Sequence, residues 1–130
     1  MSVPFVAGAV VYAKNVPEVS AFYAEVAALR TTHTEQGYVV LEASGFQLVV
    51  VAIPAQLAAS IHVTVPPERR EDTAVKLVLP VPSIATARLA AQSLGGQLNP
   101  TEREWEFQGS RVCDGHDPEG NVVQFRENAL

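Results

Sequence analysis

Cys113, Asp114, His116 and Asp117 form the densest run of side chains in this chain that could hold a proton or a metal ion. Asp114 and His116 share strand parity, so both would face one side of an extended segment. Two donors on one strand do not make a metal centre, because coordination needs partners from other elements. His116 could instead act as a general base near neutral pH. Lys76 could contact an anionic or carbonyl group of a ligand, and Gln124 could orient a ligand amide. Trp105 could stack on a planar ligand or belong to the core or a dimer interface, and Tyr12 and Tyr38 could be pocket walls or ordinary sheet residues. His33 and His62 stand alone in polar or mixed segments and are expected at the surface. No nucleophile elbow, glycine-rich phosphate loop or zinc-type cysteine spacing is present.

Composition narrows the classes of partner. The chain has 130 residues, 48% of them hydrophobic and 18% charged, which suits one globular domain with a sizeable core. The formal net charge is -5 and the nine basic residues are scattered, apart from Arg69-Arg70 between acids. Nucleic acid is not an expected partner, because phosphate binding needs clustered cations. Cys113 is the only cysteine, so no disulfide forms within the chain. The apolar stretch from Leu48 to Ile53 is too short to span a bilayer, so no membrane partner is expected. The start of the chain lacks the basic region of a typical signal peptide. The expected location is the cytoplasm.

These residues need elements to position them. Ala7 to Ala13 are small, β-branched or aromatic, which suits a buried strand. Asn15 is a candidate N-cap with Glu18 at capping-box spacing and Pro17 in the first turn. Val19, Phe22, Tyr23, Val26 and Leu29 recur at helical spacing, so a helix is expected from about 16 to 29. Strand-like runs follow at Arg30–Glu35, Tyr38–Glu42 and Phe46–Ile53, with Gly37 and Ser44-Gly45 as turns. The second half repeats the plan: alternation over Val75–Val81, a helix capped by Ser83 and ended by Gly95-Gly96, then short strands near 97–99, 105–107, 110–114 and 121–126. The caps Asn15 and Ser83 stand 68 residues apart, and the hairpin glycines Gly45 and Gly120 stand 75 apart. The expected architecture is α+β, a repeated βαβββ unit within one domain over 1–130. The first module covers about 5–53, a linker about 54–73, and the second module about 74–127. Pro54 to Ala59 could form a helical turn, and Pro66 to Asp72 reads as a solvated connector.

The closing segment Asp117-Pro118-Glu119-Gly120-Asn121 reads as a tight turn leading into the strand Val122–Arg126. This turn, the duplicated layout, and the opening strand–helix pattern ending in Phe22-Tyr23 together resemble the vicinal oxygen chelate superfamily. That superfamily includes glyoxalase I, bleomycin-resistance proteins, fosfomycin-resistance proteins and extradiol dioxygenases. The resemblance spans nearly the whole chain. It implies two βαβββ modules forming a cupped mixed sheet with helices outside.

Enzymes of that superfamily hold a divalent metal inside the cup. The resemblance places their ligand positions here on Gly8, Val49, Lys76 and Gln124. Gly8 and Val49 offer no side-chain donor, Lys76 carries no lone pair when charged, and Gln124 offers one amide oxygen. A metal is therefore not expected, nor any other cofactor. By strand parity Gly8, Val10, Tyr12, Val49, Val51, Lys76, Val78, Val122, Gln124 and Arg126 face the cup, while Val123 and Phe125 pack under the helix. Such a lining suits a small organic molecule, with Tyr12, Val49, Lys76, Trp105, Arg111 and Gln124 as expected ligand contacts. Gly8 would widen the pocket by lacking a side chain. The resemblance to the bleomycin-resistance branch also implies a homodimer. The expected function is metal-free binding of an organic ligand. The alternatives are an enzyme of the same family, with a displaced metal or with His116, Lys76 or Arg111 acting alone, and a module that acts only through dimer contacts.

Overall fold

The computed structural model describes residues 6–128. Strand β1 (Ala7–Ala13) leads into helix α1 (Val16–Val26), then strands β2 (Arg30–Glu35), β3 (Tyr38–Ala43) and β4 (Phe46–Ala52). A single helical turn, α2 (Ala55–Ala58), opens the connection to strand β5 (Leu77–Val81) and helix α3 (Ile84–Ser93). Four strands complete the chain: β6 (Gln97–Leu98), β7 (Trp105–Phe107), β8 (Ser110–His116) and β9 (Val122–Glu127). Hydrogen bonding divides the strands into two mixed sheets, one from each module. The first has the order β1-β4-β3-β2; the second has β5-β9-β8-β6, with β7 also on β8.

The two halves correspond in detail. Each opens with a strand parallel to its last strand, β1 on β4 and β5 on β9. Val10 pairs with Val49, and Val78 pairs with Gln124, so residues 68 apart on the first strands meet residues 75 apart on the last. The edge strand β2 is continuous, apart from a register shift between Thr31 and His33. Its counterpart is split. β6 pairs with the Gly115–His116 end of β8, and β7 pairs with the Ser110–Val112 end.

Local chemistry explains where the helices begin. Asn15 Oδ1 accepts from the Glu18 amide at 3.0 Å, and Ser83 Oγ accepts from the Thr86 amide at 3.2 Å. Both satisfy a helix-terminal N–H that has no partner within the helix. Helix α1 ends at Val26, short of the expected Leu29. The cause is Ala28, which adopts φ 54° and reverses the chain. Gly95, with φ 88°, makes the same reversal after α3.

Core and open face follow strand parity. Leu41, Leu48, Val50, Leu79, Val123 and Phe125 lie under the helices, each at most 1% exposed. Phe22 and Tyr23 of α1 meet edge to face at 5.1 Å and are fully buried. Burying one such large apolar side chain contributes roughly 1.5–3 kcal/mol. Helix α3 presents Ile84, Ala87 and Ala91 inward and packs on α1.

A carboxylate network ties the halves together. Glu119 accepts from the backbone amides of Lys14 (2.9 Å) and Asn15 (2.8 Å), just ahead of α1. Asp117 is fully buried, and its Oδ2 accepts from the Tyr23 hydroxyl at 2.7 Å and from Asn121 Nδ2 at 2.8 Å. Its Oδ1 accepts from the amides of Glu119 (2.8 Å) and Asn121 (3.1 Å). Asp117 thus stabilises its own turn, as turn chemistry requires, and also holds α1 of the other half. The connector docks on this turn: the Arg70 amide donates to the Gly120 carbonyl at 2.8 Å, and Arg70 bridges to Asn121. Gly120 has φ 88°, and a Cβ there would collide with the Glu68 carbonyl.

Two stability outcomes follow. Tyr23→Phe removes one donor from a buried carboxylate and is expected to cost about 1–3 kcal/mol in denaturant unfolding. Burial, and then Asp117, raise the Tyr23 hydroxyl above its ordinary pKa near 10. A raised folded-state value means that this stabilisation is complete below the unfolded tyrosine range and is lost as pH climbs through and above it. Tyr23→Phe should therefore show a shallower loss of stability above about pH 10 than the unaltered chain. Conversely, Ala28→Gly is expected to stabilise by about 1 kcal/mol, because glycine adopts positive φ without a Cβ penalty. A midpoint that falls would show that Ala28 makes contacts worth more than its strain.

Candidate functional site

β1 and β5 are the first strands of their sheets, and each pairs on one side only. Between them opens a slot of about 710 Å³. Its apolar wall carries Val10, Tyr12, Val75 and Val78, and its polar points are Arg70, Lys76 and Asn121. Tyr12 is 61% exposed and Val10 56%, unusual values for large apolar side chains in the middle of a strand. Parity is the cause. Ala9, Val11 and Ala13 alternate with them and pack toward the helices, so the other face of β1 is left to solvent.

Beside the slot a chain of polar contacts crosses the second sheet on the same open face. Lys76 Nζ lies 2.7 Å from Asp114 Oδ2, and Gln124 Nε2 donates to Asp114 Oδ1 at 3.3 Å. Arg126 Nε then donates to Gln124 Oε1 at 2.9 Å, and its guanidinium stacks 4.9 Å from the centre of the Phe107 ring. These groups meet because Asp114 pairs with Gln124 and Val112 with Arg126 across β8 and β9. Trp105 pairs with Val112 on the same face, and Val112 is fully buried outside the main core.

The structure sorts the residues expected from sequence. Tyr12 and Lys76 line the slot. Val49 lies next to Val10 on the open face, half buried, and Gln124 lies next to Val78. Trp105 stands farther out on β7, 41% exposed. Arg111 is not brought to this face. It pairs with Glu127 and Glu106, one residue out of step with Val112, and its guanidinium lies 3.3 Å from Glu104 on the helix side. Gly8 does line the slot, but it does not widen it. A Cβ there would run into the Gln47 carbonyl, so glycine serves the close approach of β1 to β4. Sequence reasoning missed Arg70, Val75 and Asn121 as slot residues and Phe107 as the partner of Arg126. The signal for Phe107 was available, because it shares parity with Trp105.

His116 and Cys113 are both withdrawn from the slot. His116 is 5% exposed, and its Nδ1 lies 2.9 Å from the Asp117 carbonyl oxygen. A carbonyl only accepts, so Nδ1 carries the proton in this contact. Cys113 is fully buried beside Arg88 and the Asn99 carbonyl. Burial pushes its thiol pKa up and Arg88 pulls it down, with burial dominant. A thiol held protonated in this way is a weak nucleophile. Arg88 in turn bridges Glu104 and donates twice to the Asn99 carbonyl, which fixes the 3-10 turn Thr101–Arg103 against α3.

The metal of the family resemblance can be tested against these donors. Gly8 and Val49 contribute no side-chain donor, and Lys76 places an ammonium against the nearby carboxylate Asp114. The Gln124 amide is bonded at both ends. Among the described residues, no three His, Cys, Asp or Glu side chains are grouped to hold a metal ion. The residues present do not fit a divalent cation at these positions. No helix among the described residues is long and apolar enough to cross a membrane.

Solved structures share this architecture. A glyoxalase/bleomycin resistance protein/dioxygenase family enzyme from Burkholderia phytofirmans superposes with a TM-score of 0.68 at 17% identity, covering 95% of this chain and 98% of that one. The bleomycin resistance determinant encoded on transposon Tn5 superposes at 0.60 and 16% identity, covering 98% and 100%. A genomically encoded fosfomycin resistance protein from Listeria monocytogenes superposes at 0.65 and 13% identity, covering 99% and 94%. At these identities the likeness shows a shared fold. Among curated proteins no relative matches. The sequence itself matches the family of the glyoxalase-like domain over residues 8–125. The repeated βαβββ units and this match over nearly the whole length make the chain a member of the glyoxalase-like domain family.

Proposed function

We propose that this protein binds a small organic molecule in the slot between β1 and β5 and makes or breaks no bond through a metal. The observation that carries the proposal is the Lys76–Asp114 ion pair at 2.7 Å. At a position where the resemblance implies a metal ligand, an ammonium pairs with the adjacent carboxylate instead. The slot supports the same reading. Its volume of about 710 Å³ falls within the range typical of ligand sites, roughly 300–1,000 Å³. Its apolar walls would supply affinity, while Lys76, Arg70 and Asn121 would set orientation. Tyr12 and Trp105 leave the open face unfilled, which favours a small ligand over a purely interacting module.

Two of the structural neighbours are named for resistance to bleomycin and to fosfomycin. Sequestration of an antibiotic or a similar compound is the biological form of this proposal. Two copies of the chain are proposed to pair, and the single, buried thiol suits a reducing cytoplasm.

Elemental analysis of protein purified without chelators is expected to find divalent metal well below one equivalent. Added zinc or manganese should leave the unfolding temperature essentially unchanged, since an ion that does not bind the native state cannot stabilise it. Gln124→Ala should alter ligand affinity without altering metal content. A stoichiometric metal that this variant releases would overturn the proposal. Sedimentation equilibrium checks the pairing, with a dimer mass expected.

A further inference from the structure

The slot selects for charge, and its charge is opposite to that of the chain. The protein carries a net charge of -5, yet the charged residues lining the slot are Arg70 and Lys76, with no acid among them. Asp114 takes one direction of the Lys76 ammonium, which leaves N–H donors free. Arg126 adds a third cation farther along the open face, over Phe107. The slot is therefore lined by two cations, with the Asp114 carboxylate beside it against Lys76. Glu42 lies on the corresponding face of the first sheet, but two strands from β1, beyond Gln47. Arg70 also borders a neighbouring hollow with Glu68 and Asp72, so Lys76 is the stronger anchor. Both edge strands flanking the slot keep one side unpaired, and backbone amides on those edges can also donate to an anion.

We infer that the ligand is an organic acid, with its carboxylate against Lys76 and Arg70 and an apolar or aromatic body across Val10, Tyr12, Val75 and Val78. This inference rests on the binding reading above and narrows it to one class of ligand. A cationic molecule would meet like charge at the slot mouth. A neutral one would forgo the charge-assisted bonds that the remaining N–H donors of Lys76 and the Arg70 guanidinium can make.

Three probes of matched shape test it on the unaltered chain: 4-phenylbutyrate, 4-phenylbutanamide and 4-phenylbutylamine, titrated by calorimetry or ligand-observed NMR. The acid is expected to bind roughly tenfold or more tightly than the amide, with the amine weakest. Raising salt from about 0.05 to about 0.5 M should weaken the acid and spare the amide. Lys76→Gln should bring the acid down to the level of the amide, and Lys76→Arg should retain the preference. Tyr12→Ala should weaken acid and amide alike. If the amide or the amine binds as tightly as the acid, the charge inference fails while small-molecule binding stands. If none of the three binds at up to about 10 mM, a level at which even millimolar affinities register, both readings fail. A preference that survives Lys76→Gln and disappears in Arg70→Gln would remove Lys76 as the anchor.

Discussion

Two buried carboxylates in one turn determine how this protein is assembled. Asp117 and Glu119 belong to the last hairpin of the second half, yet Tyr23 and the amides of Lys14 and Asn15 belong to the first. A buried carboxylate without donors is strongly unfavourable, so the turn is stable only when α1 lies against it. That requirement sets the position of β1, which runs directly into α1. It also sets the edge of β1 beside β5, and hence the slot. The negative charge of Glu119 at the start of α1 is further favoured by the helix dipole.

The slot exists because the two sheets do not join. Backbone hydrogen bonds that could close β1 onto β5 are not made, and a cavity with unpaired edges remains. Its lining is unlike a core. Exposed Val10 and Tyr12 lie on the face of β1 that the helices do not cover, and Arg70 arrives from the connector through its bond to Gly120. Exposed apolar side chains therefore stand beside cations on this surface. A divalent metal would need several converging oxygen or nitrogen donors. Here a lysine, a glycine, a valine and a glutamine stand at the positions the resemblance implies, and they do not supply such a set.

Much of this was legible before any coordinates. Asn15 and Ser83 cap their helices as their residue types and spacing indicated. The spacings of 68 and 75 reappear as strand register, Val10 with Val49 and Val78 with Gln124. Val123 and Phe125 are buried, while Gln124 and Arg126 face outward, because alternation along a strand is strict. Arg111 was misplaced although the same alternation excludes it, since Asp114 and Arg111 lie on opposite parities. The end of α1 was drawn too late because helical spacing of apolar residues continues to Leu29 while the backbone turns at Ala28. Gly8 shows a deeper limit. Only the neighbouring strand reveals that a side chain there would strike a carbonyl.

By itself the sequence determined periodicities, caps, turns and the repeat, because these depend on residues a few positions apart and on the stereochemistry of each residue type. It also determined which donors were absent from the expected metal positions. Tertiary structure decided everything that needs distant segments to meet. The docking of Glu119 on residues 14 and 15, the pairing of Lys76 with Asp114, and the arrival of Arg70 at the slot join residues 38 to 105 positions apart. No local rule encodes such contacts. They arise when two halves with similar folds bury their apolar faces together and the polar groups left at the seam must find partners.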